Sequence, residues 1–350
     1  MAQEAIRQAF LMQARFCDDL GSPLTAQVMR ALPLVLEAGG AVADRVWSWQ
    51  GPPDAMGDSV PLRLGGALHR LVRAGHAPAL AALYPPAPTP SVEALCPVLD
   101  MVLESQSAAI LEGLHHAPQT NETGRAAALY AGLLSIAKRY PQPFELYEVG
   151  ASAGLNLLPD RFGYRFGAHS YGDPASPVQL APTWTGPVPD PAEIHVVARR
   201  GCDLNPLDLS DPKARERLLS FIWPDQPDRL ARAEAAVSLA GDDAPVVDRA
   251  DAADWVEAHF AKAASHGVTR VLWHSIAAQY FPPSTNERID QALAIAGAAA
   301  TTSSPIARLA LEQDDGDGGP GLVLTLWPDG QSQRLARASA HVTRIDWEVS

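Results

Sequence analysis

Cysteine is scarce: Cys17, Cys96 and Cys202 are the three in 350 residues, and they lie far apart. An odd, dispersed set offers neither a disulfide framework nor a Cys-x-x-Cys metal pattern, so free thiols in a reducing compartment are expected. Positive charge is also in deficit. Lys and Arg total 27 against 40 Asp and Glu, a formal net charge of −13. Without a block of Lys and Arg, the chain lacks the clustered cations that grip a phosphate backbone, and nucleic-acid binding is not expected. Apolar runs are short. None approaches the roughly 20 residues of a membrane-spanning helix, and Met1-Ala-Gln-Glu-Ala-Ile-Arg7 carries no secretory apolar core. The expectation is a cytoplasmic protein with no membrane partner. Metal-site patterns are missing too, with no His-Glu-x-x-His and no clustered carboxylates, so no metal is expected.

What is present reads as a globular chain: 47% hydrophobic and 19% charged residues, enough for one large core or two moderate ones. Residues 1–140 pattern as helices. Ser22-Pro23 reads as a helix start with a capping hydroxyl and a first-turn proline. Thr120-Asn121-Glu122 and Thr285-Asn286-Glu287 read as two further helix caps. At Pro141-Gln142-Pro143 the pattern changes. Strands are expected near 144–149, 193–200, 245–248, 269–274, 305–311, 321–327 and 342–348, with helices at 155–161, 211–222, 227–239, 252–265 and 285–298 between them. Such interleaving argues for an α/β layer with a mostly parallel sheet. Residues 162–192, rich in Gly, Pro and aromatics, read as an insertion with a short hairpin. Asp314–Pro320 reads as a polar turn whose acids lack the spacing of a calcium-binding loop.

The densest signal is Phe144-Glu-Leu-Tyr-Glu148 followed by Val149-Gly-Ala-Ser-Ala-Gly154 and Leu155-Asn156. A strand ending in an acid, a tight small-residue loop and a helix start together make a site for a polar or charged ligand group. Two chemistries fit. One is the cofactor loop of a class I methyltransferase, with Gly150 and Gly154 permitting close approach. Asp203, after the next apolar run, would serve ribose hydroxyls; Asp251 with Ala252, after the third, would frame adenine. His274, with Gln279 and Tyr280 after the fourth, would face a substrate. Against this, Ser152 replaces the usual central glycine, and Glu148 to Asp203 spans 55 positions where about 20 is usual. The other chemistry is hydrolysis, because Gly150-Ala-Ser152-Ala-Gly154 is a Gly-x-Ser-x-Gly nucleophile elbow following a strand. No His-Gly-Gly run precedes it, and His341 is the late histidine available as a base. Plain alternatives stand beside these: Asp203 as a turn former, Asp251 as a helix cap and His274 as a buried structural histidine.

Gln119-Thr-Asn-Glu-Thr-Gly-Arg125, Glu148-Val-Gly-Ala-Ser-Ala-Gly-Leu-Asn156, Arg200-Gly-Cys-Asp-Leu-Asn-Pro206, Ile222-Trp-Pro-Asp-Gln226, His274-Ser-Ile-Ala-Ala-Gln-Tyr280 and Trp327-Pro-Asp-Gly330 resemble the bacterial domain of unknown function family 2332. The resemblance runs through nearly the whole chain. It implies a Rossmann-like, methyltransferase-type fold and no established reaction. It also implies a shortlist: Asn121 and Arg125 on the substrate side, Glu148, Ser152 and Asn156 at the loop, Asp203, and His274 with Tyr280.

The resulting expectation is α/β: a Rossmann-like, mostly parallel seven-stranded sheet over 141–350, its last two strands closing antiparallel, with a helical cap over 1–140. The function expected is S-adenosylmethionine-dependent methyl transfer to a small-molecule substrate. Glu148, Gly150, Ser152, Gly154, Asn156, Asp203, Asp251 and Ala252 would hold the cofactor. His274 and Tyr280 would orient or deprotonate the acceptor, with Asn121, Arg125 and Gln279 beside it. A non-catalytic binding protein on the same scaffold and a Ser152 hydrolase remain the alternatives. No pattern specifies an oligomeric state.

Overall fold

A computed structural model describes residues 2–262 and 265–349. The chain divides into two compact units, one of Met1–Thr120 with Pro212–Ala231 and one of Asn121–Asp211 with Arg232–Ser350. The first is helical. Its leading part holds α1 (Ala2–Asp19), α2 (Pro23–Leu36), α3 (Ala41–Trp47), α4 (Val60–Arg73), α5 (Pro78–Ala81), α6 (Val92–Ser105) and α7 (Ser107–Leu114). After α8 (Ala126–Arg139), which belongs to the second unit, α9 (Pro212–Ser220) and the first turn of α10 (Pro227–Ala240) return to the first. Phe10, Leu32, Leu64, Leu68, Leu95 and Leu99 form its buried core. Pro23 sits in the first turn of α2, as the sequence suggests, but Ser22 does not cap it. The cap is Asp225, whose carboxylate accepts Leu24 N–H at 2.8 Å and hydrogen-bonds the hydroxyls of Ser22 and Thr25. A carboxylate at a helix N-terminus complements the exposed N–H groups and the positive dipole end. Among the described residues no single helix is long and apolar enough to cross a membrane; α6 and α7 pass that test only as a pair bent by 88°.

The second unit is a mixed α/β layer. Its strands are β1 (Phe144–Val149), β2 (Gly163–Phe166), β3 (His169–Gly172), β4 (Gln179–Leu180), β5 (Thr183–Thr185), β6 (Val196–Asp203), β7 (Val246–Arg249), β8 (Thr269–Ser275), β9 (Ile306–Glu312), β10 (Gly321–Trp327), β11 (Gln331–Ala338) and β12 (Arg344–Trp347). Among the described residues nine of them form one sheet, in the order β5-β12-β11-β10-β9-β8-β1-β6-β7. The run β7-β6-β1-β8-β9 is parallel throughout. β1 therefore has parallel neighbours on both sides, and the chain reverses its direction of travel across the sheet between β1 and β8. The short hairpin expected in the insertion is β2 with β3, which joins β4 in a separate small sheet.

The expected seven strands are corrected to nine. The Asp314–Pro320 turn joins β9 and β10 as an antiparallel hairpin, but the last two expected strands, 321–327 and 342–348, are not neighbours: β11 lies between β10 and β12 and is antiparallel to both. Trp327-Pro-Asp-Gly330 supplies the turn, with Gly330 at φ +67° and its N–H on Leu326 O at 2.8 Å, a backbone conformation that glycine adopts without cost. The leading half of β11, Gln331-Ser-Gln-Arg334, is exposed and so shows no alternation of apolar and polar residues. The ninth strand, β5, comes from the insertion and pairs with β12. Residues 155–161, expected as a helix, make two 3-10 turns, Leu155–Leu157 and Pro159–Arg161.

α8, inside the 1–140 stretch read as a helical cap, groups with the sheet and packs on β9 and β10. Gly132 permits this: a Cβ there would lie 2.6 Å from Leu309 Cδ2. Leu309 is fully buried beneath the helix. Leu309→Ala is expected to cost about 2–5 kcal/mol, the range for a buried leucine whose cavity does not collapse, read as a lowered urea midpoint with unchanged slope.

Candidate functional site

In an open parallel sheet the ligand crevice lies at the strands' carboxyl ends, where the strand order reverses. Here that point is the junction of β1 and β8. β1 ends at Glu148-Val149 and turns into Gly150–Gly154. Gly150 has φ +68°, and a Cβ on it would come within 2.8 Å of Ala277 Cβ in the segment after β8. Gly154 has φ +74° and Ser152, without glycine's freedom, has φ +54°. A left-handed non-glycine residue persists only where surroundings hold it. Those surroundings are specific. Ser152 N–H donates to Asp203 Oδ2 at 2.9 Å, Leu207 N–H donates to Ser152 O at 3.1 Å and Ala151 N–H to Cys202 O at 3.0 Å. Leu155 N–H donates to Asn121 Oδ1 at 2.8 Å. Asn121, read from sequence as a helix cap and a substrate-side residue, thus caps the turn after the loop, 34 positions away.

Glu148 lies opposite Trp273 of β8 in register and is only 2% exposed. Burial pushes its carboxyl group well above the usual carboxylate range; the Arg125 guanidinium opposes that shift and the Asp203 carboxylate adds to it. The side chains of Asn156 and Trp273 are close enough to lower it further, by less than Arg125 does. Glu148 Oε2, Asn156 Oδ1 and Trp273 Nε1 are buried without a hydrogen bond of good geometry, although Asn156 and Trp273 lie near enough to act on the Glu148 carboxyl group, and Ser152 Oγ is buried without a partner. Each such atom costs about 1–3 kcal/mol unless something meets it. Native interiors leave few of them.

The other expected site residues divide. Arg125 faces Glu148 and donates to Ser275 O at 3.0 Å and Ala340 O at 3.2 Å. Asp203 reaches the loop, and its second oxygen accepts Asn205 N–H at 2.8 Å. Asp251 caps α11 (Ala252–Phe260) through Oδ1, which accepts Ala253 N–H at 2.9 Å and Asp254 N–H at 3.2 Å; Ala252 is buried in the first turn. Gln279 and Tyr280 project outward, Tyr280 with 57% of its surface exposed.

His274 is buried and held at both ring nitrogens. Arg308 Nε donates to its Nε2 at 2.9 Å, and its Nδ1 lies 2.7 Å from Glu312 Oε1. Because arginine can only donate, Nε2 is an acceptor and Nδ1 carries the proton. The ring is neutral. Burial lowers its pKa, with Arg308 adding to that and Glu312 resisting. Burial would raise Glu312, but hydrogen bonds from His274, Ala277 N–H and Ala278 N–H hold it below the usual carboxylate range. The pair secures the 276–280 segment, where Ile276 has φ +48°, against the Gly150 loop. Glu312 and Trp273 were not singled out from sequence. Glu312 carries the signal that revealed Glu148, an apolar strand ending in an acid.

On the other side of the loop is an open cleft of 440 Å³, lined in part by Ala153, Leu207, Leu209, Pro245 and Val247. The Asp314 turn closes on the protein itself, its carboxylate gripping Arg337 at 2.8 and 3.0 Å.

Residues 7–347 match the family model described as uncharacterized protein conserved in bacteria (DUF2332), and the chain belongs to that family. Comparison with the curated proteins and with the solved structures finds no match.

The state of Glu148 has a measurable consequence. With its folded pKa raised, the folded protein keeps a proton that the unfolded chain releases above about pH 4.3. Its contribution is complete below that value and is lost as pH rises toward the folded pKa. Glu148→Gln removes the loss. The variant's Tm is expected to exceed that of the wild type near pH 8 and to converge with it near pH 4. A Tm difference that does not change with pH would show an ordinary carboxylate.

Proposed function

We propose that the protein is an S-adenosylmethionine-dependent methyltransferase of the Rossmann-like type, acting on a small acceptor. The observation that carries the reading is the group of buried polar atoms without well-formed hydrogen bonds around Glu148, at the carboxyl ends of β1 and β8 where the strand order reverses. The order β7-β6-β1-β8-β9 supports a doubly wound cofactor fold. A buried carboxyl whose Oε2 lacks a well-formed hydrogen bond matches an ammonium group, which would favour its ionised form and pair with it. Gly150 lets the loop pack against Ala277, and Gly154 lets it pack against Val247 and Pro245, which fixes the loop's path beside that group. Asp203 holds the loop through Oδ2 and its own turn through Oδ1, which places a carboxylate beside the loop where ribose hydroxyls would lie. Asp251 caps with Oδ1 alone, leaving Oδ2 for an adenine amino group beside Ala252.

When bound, the sulfonium supplies an electrophilic methyl group. The chain's task is then alignment and exclusion of water, which need no covalent nucleophile. His274 has no free nitrogen to act as a base. It positions the 276–280 segment, whose Ser275 neighbour is held by Arg125, while Gln279 and Tyr280 at its end face outward. An acceptor already nucleophilic at neutral pH is therefore favoured over one needing deprotonation.

A second reading, binding without catalysis, is favoured by the same engagement of His274 and by the exposure of Tyr280. Hydrolysis through Ser152 is disfavoured because no histidine holds its hydroxyl.

Calorimetry with S-adenosylmethionine and its demethylated product tests the proposal. Saturable binding is expected, weakened about tenfold or more in Glu148→Gln by loss of a charge-assisted pair and by less in Ser152→Ala, which removes only a neutral hydroxyl. Affinity should also rise with pH as less proton must leave Glu148. No heat from folded protein at millimolar cofactor sinks the reading. Binding without turnover across an amine, thiol and carboxylate panel selects the silent scaffold.

A further inference from the structure

Arg232 lies in α10, in the part of that helix belonging to the sheet unit. Its Nε is buried and makes no hydrogen bond, and among the described residues no carboxylate pairs with the guanidinium. It borders a recess of 110 Å³ whose walls include Gly124, Pro182, Val342 and Thr343. Thr123, next to Gly124, also has a buried hydroxyl without a partner. A buried donor left without an acceptor is costly, because burial removes its water without supplying a replacement.

We infer that this recess is a second ligand site, which takes an oxyanion: the carboxylate or phosphate group of a small molecule. The volume is that of three or four water molecules at about 30 Å³ each, which suits a compact oxyanion. Nothing acidic lines the recess. Arginine is the residue for such a group because its planar fork can bond two oxygens at once. Thr343 adds a hydroxyl, which also bonds Ser339 Oγ at 2.9 Å. The backbone is shaped to the recess on two sides. Val342 takes φ +52°, a conformation disfavoured for a β-branched residue. Gly124 sits where a Cβ would lie 2.6 Å from His341 O.

The recess and the Glu148 cluster flank the Thr123–Arg125 turn: Gly124 lines the one and Arg125 faces the other. A small molecule with an anionic group is thereby offered a foothold beside the proposed acceptor side. The site itself does not depend on the methyltransferase reading.

The test is titration of the full chain with sodium phosphate and, separately, sodium acetate, at constant ionic strength set by chloride, followed by calorimetry and thermal shift. Saturable binding of at least one anion is expected, and which one binds tells phosphate from carboxylate recognition. Arg232→Gln should weaken it about tenfold or more, Arg232→Lys by less, and Arg15→Gln, an equal charge change on an exposed helix face, not at all. Because Arg232 donates to no acceptor among the described residues, Arg232→Gln should fold with an unchanged or higher Tm. The inference is overturned if neither anion binds saturably, if Arg232→Gln binds as the wild type does, or if Arg232→Gln fails to fold.

Discussion

Glu148 ends a strand that has a parallel neighbour on each side, so its carboxyl group is enclosed by the sheet rather than by mobile surface side chains. Burial of that kind opposes ionisation, and the sheet offers it no full set of partners. Arg125 is the compensating charge, yet its guanidinium also holds carbonyls at the end of β8 and in the turn between β11 and β12. One cation therefore links three chain segments to the buried acid. Removing Arg125 would loosen the segments as well as deepen the isolation of Glu148, which makes the acid and its surroundings a single unit.

The loops on either side of that unit are held by polar contacts, not by packing alone. Asp203 and Asn121 fix the Gly150 loop through its N–H groups. The Glu312–His274 pair fixes the facing segment through Ala277 and Ala278. Each loop contains one non-glycine residue in left-handed backbone, Ser152 and Ile276. Strain of this kind survives where the surroundings over-determine the conformation, and it gathers at sites that must be shaped before a ligand arrives. His274 shows how a residue can be central without touching chemistry: Arg308 on one nitrogen and Glu312 on the other leave it a neutral strut.

The sequence made most of the parallel half of the sheet legible because β1, β7 and β8 carry apolar stretches that stop at polar residues, whereas β6, expected at 193–200, runs Val196–Asp203 with Arg199 and Arg200 inside it. Glu148, Ser152 and Asp203 emerged from the same punctuation. β11 was not legible, since its solvent-facing Gln331-Ser-Gln-Arg334 carries no period-two signal, and a missed strand displaced the expected pairing of β12. Nor could propensity show that α8 leaves the helical half to lie on β9 and β10; that choice rests on Gly132 meeting Leu309, a tertiary fit. For the same reason Asn121 and Asp225 each cap a turn or helix far away in sequence. His274 stood out by type and position, but its role depended on Arg308 and Glu312, which lie more than 30 positions away.

The two buried titrating groups at the sheet's carboxyl edge lean the same way. Glu148 tends to keep its proton and His274 tends to lose its own, so both approach neutrality. On the proposed reading, a cationic ligand would be favoured where it meets Glu148, because pairing with it would offset the cost of ionising a buried carboxyl group, whereas a neutral ligand of the same shape would not. That preference would weaken as pH falls, because protons then compete for the same carboxylate.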